Sequence, residues 1–404
     1  MLHVIIGSGA AGMAAARTIR EIDPQASITV ISEDGAVYSR CMLHQYIDGE
    51  RSGEALTFVE SDFFEKYGVS RIMGQKVTAV DTSNKIVKYG DGEGISYDRL
   101  LIATGSNSLV PPIGVMREAK NVYSLRNFTD AVAIKEKAAD AEKVIIMGAG
   151  LIGLDAAYPL VRAGKKVSIV ELADRALSQN LDLRASMSYQ KKFEEAGCTF
   201  HFGKKAVDTD FACGRVTGLV LDDGERLDCD MLIAAVGVSP AVEFLEGSGI
   251  NISGAVVVDS FLETNVKGVF AAGDVAGLSA IWPNASYQGR TAAKNMCGVR
   301  QEYTDAFTAK NTVNFFNLAT LSLGKISPAD GDREEIFEAR NVYKKAVITG
   351  NLVTGVIIQG DISGSGHWLH MIKNEIPLKD SRPVFKTSFA DYYGIDSDGN
   401  YAWS

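Results

Sequence analysis

Two glycine-rich hexapeptides, Gly7-Ser8-Gly9-Ala10-Ala11-Gly12 and Gly148-Ala149-Gly150-Leu151-Ile152-Gly153, lie about 140 residues apart in this 404-residue chain. Each directly follows a short apolar run, Leu2–Ile6 or Lys143–Met147. In a G-x-G-x-x-G turn the first glycine permits a tight strand-to-helix turn. The second lets the backbone approach a pyrophosphate, and the third lets helix and strand pack closely. The phosphates then sit at a helix N-terminus, where free N–H groups and the helix dipole favour negative charge. An acid about 20 residues further on should accept hydrogen bonds from a ribose. Both halves supply one: Ser27–Ser32 leads to Glu33, and Lys166–Val170 leads to Glu171. One such hexapeptide would be weak evidence, because loops collect glycine. Two of them, each with its acid, predict two dinucleotide sites rather than two turns that bind nothing, and such a chain is most simply built to pass electrons between them. A carboxylate at Glu171 accepts from the 2′-hydroxyl of NAD and repels the 2′-phosphate of NADP, so NADH is favoured. The nearest cation that could accept that phosphate is Arg175.

The elements that must position these loops read as a doubly wound α/β plan used twice. Strand, glycine turn and helix over Leu2–Arg20, then Ser27–Ser32 and Leu100–Ala103, form the first unit. The proline-bearing stretch Asn107–Pro112 is a natural crossover. Strands near Lys143, Val167, Thr199 and Met231–Val236 repeat the plan. After Val256–Val258 the chain returns to the first unit with a helix over Ala285–Cys297. The last hundred residues differ: short apolar or alternating runs (Asn341–Ile348, Val353–Gln359) between glycine-containing turns predict an antiparallel sheet, with a helix near His367–Ile372. The expected organisation is residues 1–110 and 251–305 for a first nucleotide domain, 111–250 for a second, and 306–404 for a small α+β C-terminal domain.

Composition bounds the function. Hydrophobic residues make up 46% and charged residues 23%, ordinary for a globular protein, and the net charge is −9. No basic stretch is concentrated enough for nucleic acid, and no apolar run approaches the ~20 residues that span a bilayer. No cationic leader precedes Leu2, so a cytoplasmic location is expected. The five cysteines, at 41, 198, 213, 229 and 297, show neither C-x-x-C nor metal spacing. His3, His201, His367 and His370 do not converge in sequence, so no metal is expected. The acidic run Asp391–Asp398 reads as a solvated tail.

In order, the two hexapeptides, Ala103-Thr104-Gly105, Ala235-Val236-Gly237 and Ala271-Ala272-Gly273-Asp274 resemble the FAD-dependent pyridine-nucleotide-disulfide oxidoreductase superfamily over residues 1 to about 300. The resemblance implies that Gly7, Ser8, Gly9, Ala11, Gly12 and Glu33 hold FAD, together with Val77, Ala103, Thr104, Gly105, Arg126, Gly273, Asp274 and Ala285. It assigns Gly148, Gly150, Leu151, Ile152, Gly153, Asp155, Glu171, Val236 and Gly237 to NAD(H). Tyr38-Ser39-Arg40-Cys41-Met42-Leu43-His44-Gln45 looks like the Y-x-R-P-x-L-S-K motif of rubredoxin- and ferredoxin-reductase-like flavoproteins, which gives Arg40 a part in holding FAD. Gln45 replaces the motif's lysine and Asp155 its glutamate partner, so that ion pair cannot form. Leu352–Asp361 is similar to part of the C-terminal domain of NADH:rubredoxin reductases, and Trp282-Pro283-Asn284-Ala285 to a segment that packs near the flavin.

Three functions follow as expectations. The first is electron exchange between NAD(H) and a small redox protein or Fe–S partner subunit, the chain being a homodimer or part of a larger redox complex. Any such cluster must lie on the partner, because the chain has no cysteine set to hold one. The second is a thiol-assisted NADH oxidase, peroxidase or low-molecular-weight disulfide reductase. It would use Cys41, with its thiolate favoured at a helix N-terminus; the other reading of Cys41 is a small residue packed against the flavin, and His44 in the same motif reads either as a proton relay or as a capping or packing residue. The third is a nucleotide-sensing module.

Overall fold

The computed structural model of the protein describes all residues except 306, 308, 396, 400 and 404, with 401–403 as backbone only. Residue 306, where the fourth expected segment begins, and residue 396 of the acidic run lie outside the described residues.

Leu2–Ile6 reads as a continuous apolar run because it is buried on both faces, the usual state of a central parallel strand. It lies between Arg99–Ile102 and Ser27–Ser32 in a five-stranded sheet completed by Val269–Ala271 and Val69–Met73, parallel throughout. Side chains alternate between the faces. Ile5, Val30 and Leu101 meet the helices Ala10–Ile22 and Trp282–Met296. Val4, Ile6 and Ile102 meet a cover that includes the antiparallel meander Val77–Asp81, Ile86–Tyr89, Glu93–Ser96.

The second sheet repeats the scheme. Lys143–Met147 sits between Lys166–Glu171 and Met231–Ala234, flanked by Cys198–Phe202 and Val122–Tyr123, again all parallel. Val144 and Ile146 share a core with the helices Phe128–Ala138, Leu151–Arg162 and Leu183–Glu195. Ile145 and Met147 face a second meander over residues 206–228. The expected crossover is a pair of strands: Ser106–Ser108 runs antiparallel to Val238–Pro240, so outgoing and returning chains are hydrogen-bonded side by side.

The third sheet is antiparallel, in the order Lys310–Phe315, Leu318–Gly324, Leu352–Gln359, Val342–Thr349, Asp332–Ala339. The helix Ser365–Lys373 packs on it through Trp368 and Met371. Toward the second nucleotide unit, the buried Tyr189 hydroxyl contacts the Val313 carbonyl at 3.1 Å and Thr320 Oγ1 at 2.8 Å. Where the chain returns to the first unit, Val256 forms an isolated bridge with Ile252 and donates its N–H to the Val275 carbonyl. One expectation is corrected. The acidic run is not simply solvated, because Asp391 pairs with Arg382 at 2.9 Å and receives the Ser388 N–H at 2.7 Å.

The two helices on the first sheet cross at a glycine. A Cβ on Gly289 would stand 2.1 Å from the Ala11 carbonyl oxygen, so the helices must separate to admit one. Gly289→Ala is therefore expected to destabilise the protein by about 1–3 kcal/mol, despite alanine's better helix propensity. Thermal melting checks it; an unchanged or raised midpoint would contradict the close crossing.

Candidate dinucleotide sites

Both glycine turns end strands and open helices. A Cβ at Gly7 would meet the Ala103 carbonyl oxygen at 2.2 Å, and one at Gly12 would meet the Gly7 carbonyl oxygen at 1.9 Å. Gly9, between them, has nothing within 4 Å of its Cβ position, which leaves the backbone bare toward the cleft. The helix that follows has no acidic residue in its first turn, so its positive end is free to meet a phosphate. Ser8 Oγ is tied to Ser32 Oγ at 2.8 Å, joining the loop to the neighbouring strand end. The second turn repeats this geometry, with 2.5 Å from Gly148 to the Ala235 carbonyl oxygen, 1.9 Å from Gly153 to that of Gly148, and open space at Gly150.

The first loop opens on a cleft of about 800 Å³. Of the residues assigned to FAD, Gly7, Ser8, Gly9, Ala11, Glu33, Arg40 and Val77 line it, as do Ala103, Thr104, Gly105, Arg126, Gly273, Asp274 and Ala285. Gly12 lies beneath the loop instead. Glu33 is exposed at the rim, 3.9 Å from Lys76 Nζ. Asp274 accepts from Arg126 Nη2 at 2.7 Å and from Ser106 Oγ at 2.8 Å, and Gly273 donates its N–H to the buried Gln288. A long cleft with a bare glycine backbone, an uncompensated helix N-terminus and a carboxylate at the rim fits a dinucleotide such as FAD.

Arg40 is more constrained than its motif implies. Its guanidinium donates to Asp34 Oδ2 at 2.8 Å, the Arg126 carbonyl at 2.9 Å, the Tyr38 hydroxyl at 3.2 Å and Asn127 Oδ1. It clamps the cleft wall. Reading the sequence alone missed Asp34, Asn127 and Ser106, which hold Arg40 and Arg126. Asp34 adjoins the predicted acid and lies six residues before Arg40, whereas Arg40 meets Arg126 and Asn127 across 86 and 87 positions, a separation no local pattern encodes.

At the second site Glu171 accepts the Ala149 N–H at 2.6 Å and the Ala173 N–H at 2.8 Å, so the carboxylate is fixed against the glycine loop. Leu172 points into solvent at 71% exposure. Arg175 donates to Asp174 at 2.8 Å and to the Ser178 and Leu181 carbonyls at 3.3 Å. The cation nearest in sequence is thus already occupied.

Cys41 lines the first cleft. The residue sits in a 3₁₀ turn over Arg40–Met42, and the helix after it, Leu43–Asp48, is a six-residue stub. Burial raises the thiol pKa, as do the carboxylates of Asp155 and Asp274, against the opposing pull of Arg126. Asp155 does have a partner, but it is His44, with Nδ1 3.4 Å from Oδ1, and not Gln45. The helix stub turns the residue before the predicted one toward the second unit. Of the other histidines, His3 is buried with its pKa lowered to about 4, and His201 lies 3.4 Å from Glu225. Among the described residues no group of three or more metal-ligating side chains converges, and no helix is long and apolar enough to cross a membrane.

Comparison with known proteins places the chain in context. A family model described as pyridine nucleotide-disulphide oxidoreductase matches residues 1–289, and one described as the rubredoxin NAD+ reductase C-terminal domain matches 310–376. The NADH-dependent phenylglyoxylate dehydrogenase subunit epsilon of Aromatoleum evansii is 28% identical over 95% of this chain and 94% of its own length. The assimilatory nitrate reductase electron transfer subunit of Bacillus subtilis is 29% identical over 89% of this chain, which spans only 47% of that relative. Among solved structures, a ferredoxin reductase from Rhodopseudomonas palustris superposes with a TM-score of 0.84 at 23% identity, covering 93% of this chain and 95% of that one, which shows a shared fold.

Proposed function

The chain belongs to the pyridine nucleotide-disulphide oxidoreductase family, is an NAD(P)H-dependent oxidoreductase with FAD and NAD(H) as cofactors, and on that premise we propose that it passes electrons between NAD(H) and a carrier protein or Fe–S partner subunit. One observation carries this reading. Two glycine turns of matching geometry each leave a bare backbone at a helix N-terminus with no acid in its first turn, an arrangement suited to two dinucleotides in one chain. FAD, when bound, accepts a hydride from NADH and can release electrons singly, which suits one-electron carriers. The protein's own contribution is positional. The glycine loops anchor two pyrophosphates, Glu171 selects the ribose, and the Arg126–Asp274–Ser106 cluster fixes the wall between the units. The relatives' names support the partner. One is a subunit of an NADH-dependent dehydrogenase, another an electron transfer subunit, and the C-terminal region matches a rubredoxin reductase domain.

An anaerobic NADH titration of the FAD-loaded protein tests it. Flavin absorbance should bleach from the first addition and finish at one NADH per FAD, followed by reoxidation with a rubredoxin or ferredoxin. Consumption of a second equivalent with a long-wavelength thiolate–flavin band would sink the proposal and restore the thiol-based alternative. In the same vein, Cys41→Ser is expected to change NADH-linked turnover with a carrier by less than about twofold, because electron exchange between a dinucleotide cofactor and a carrier needs no thiol nucleophile. A hundredfold loss would overturn that expectation.

A further inference from the structure

The strand Lys166–Glu171 ends on the acid of the second site, and residues 172–182 carry the chain from there to the helix Leu183–Glu195. This strap is stitched to the second glycine loop. Leu177 donates its N–H to the Ala149 carbonyl at 2.9 Å, and both residues are buried in the same core. Asn180 and Leu181 each donate an N–H back to the Leu177 carbonyl at 2.8 Å. From the helix, the Ser186 hydroxyl donates to the Ala176 carbonyl at 2.6 Å. Leu177 itself stands at φ +53°, a left-handed conformation that crowds its Cβ against the backbone. Such a residue persists only where the structure around it imposes the conformation.

The far end of the strap is tied to a different unit. Asp182 caps the helix, with Oδ1 accepting the Ala185 N–H at 2.9 Å. Its second oxygen faces the C-terminal sheet. There Oδ2 accepts from the Tyr343 hydroxyl and lies 3.4 Å from Lys345 Nζ, two residues apart on the strand Val342–Thr349. Lys345 and Asp182 are only 6% and 8% exposed, and the lysine's other partner is Glu334. Beside them, the Gln359 amide donates to the Ala185 carbonyl at 3.1 Å. Stability alone does not account for this arrangement. A serine would cap the helix as well, and an apolar pair of similar volume commonly matches or exceeds a buried ion pair in stability. What charge-assisted contacts add is a fixed geometry, here at the point where the strap meets the helix.

We propose that Tyr343 and Lys345 are positioning residues for the second dinucleotide site: through Asp182 they hold the strap, and the strap sets the glycine loop and Glu171 for the adenosine half of NAD(H). The contacts run without a break. Tyr343 and Lys345 hold Asp182, Asp182 fixes the helix start, Ser186 and Leu177 fix the strap, and Leu177 holds the Ala149 carbonyl. Glu171 then accepts the N–H groups of Ala149 and of Ala173, the latter within the strap. The C-terminal unit thereby governs dinucleotide affinity although these two residues lie on another sheet and supply no group to the ligand. The inference rests on the reading of the second glycine loop as an NAD(H) site with Glu171 on the adenosine ribose.

The test is steady-state oxidation of NADH by ferricyanide with the FAD-loaded protein, run beside dihydronicotinamide mononucleotide, which carries the same hydride but no adenosine. Tyr343→Phe and Lys345→Met should each raise KM for NADH by about three- to tenfold. Neither should change kcat, FAD content or KM for the mononucleotide. Asp182→Ser keeps a helix cap but is too short to reach Tyr343, and should raise KM for NADH in the same way. Adding Tyr343→Phe to Asp182→Ser should raise it no further, because both remove one contact. A lowered melting temperature with KM for NADH unchanged in Tyr343→Phe would make the contact merely structural and overturn the proposal. So would a KM that rises equally for the mononucleotide. Tyr343→Phe loses a single hydroxyl and decides the matter alone if the other variants do not fold. A parent protein that uses NADH no better than the mononucleotide would instead remove the assignment of the adenosine half to Glu171, which separates the two failures.

Discussion

Gly12→Ala is expected to leave a protein that retains less than about a tenth of its FAD and melts about 10 °C lower. The added methyl would stand 1.9 Å from the Gly7 carbonyl oxygen, a backbone atom that cannot swing aside. Gly7 in turn lies against the Ala103 carbonyl, so relief requires the helix Ala10–Ile22 to slide away from the sheet. That movement pulls the helix N-terminus out of register with the loop that should hold the pyrophosphate. Overpacking of this kind costs about 1–3 kcal/mol and more against rigid backbone, and loss of FAD removes the stabilisation a tightly bound ligand adds. Gly366→Ala supplies the opposite sign in the same molecule. It lies in the helix Ser365–Lys373 with nothing within 4 Å of its Cβ position, and should gain about 0.5–1 kcal/mol. Absorbance at 450 nm per polypeptide and thermal melting read both variants. A Gly12→Ala protein that is fully yellow and melts normally would refute the close approach.

The same steric logic explains what could be read from the sequence. Gly7, Gly9 and Gly12, like Gly148, Gly150 and Gly153, sit where only hydrogen fits or where the backbone must stay bare, and this constraint leaves a pattern of fixed spacing. Strands buried on both faces leave another: Leu2–Ile6, Ser27–Ser32 and Lys143–Met147 have the same bounds in the structure as in the apolar runs. The meanders over 77–96 and 206–228 were less legible, because their half-exposed strands mix polar and apolar residues and follow no glycine signal. Side-chain direction was the least legible of all. Which of His44 and Gln45 meets Asp155 depends on the phase of a helix only six residues long, and the 3₁₀ turn before it shifts that phase by a fraction of a turn. Contacts such as Arg40 with Asn127 or Asp274 with Arg126 join residues 87 and 148 positions apart, and no local spacing encodes them.

Glu171→Ala is expected to lower kcat/KM for NADH by about ten- to a hundredfold while changing kcat/KM for NADPH by less than about threefold. The carboxylate has two tasks. Within the protein it accepts the Ala149 and Ala173 N–H groups at 2.6 and 2.8 Å, and so holds the second residue of the glycine loop in place. Toward the ligand it offers its remaining acceptor capacity to the ribose hydroxyl. A hydrogen bond to a charged group contributes about 1.5–3 kcal/mol, and each 1.4 kcal/mol is a factor of ten. For NADPH the same substitution removes a repulsion against the 2′-phosphate and also loosens the loop, so the two changes offset. Because Arg175 is held by Asp174 and two carbonyls, loss of the acid should not by itself produce strong NADPH binding. Glu171→Gln separates the two tasks. Its amide oxygen can keep the Ala149 contact while its NH2 group cannot accept the Ala173 N–H, so the glycine loop should stay ordered at a cost of about 1 kcal/mol in stability, yet the preference for NADH should still narrow. If Glu171→Ala and the parent use NADH equally well in steady-state turnover, the second glycine loop does not bind its ribose through this residue.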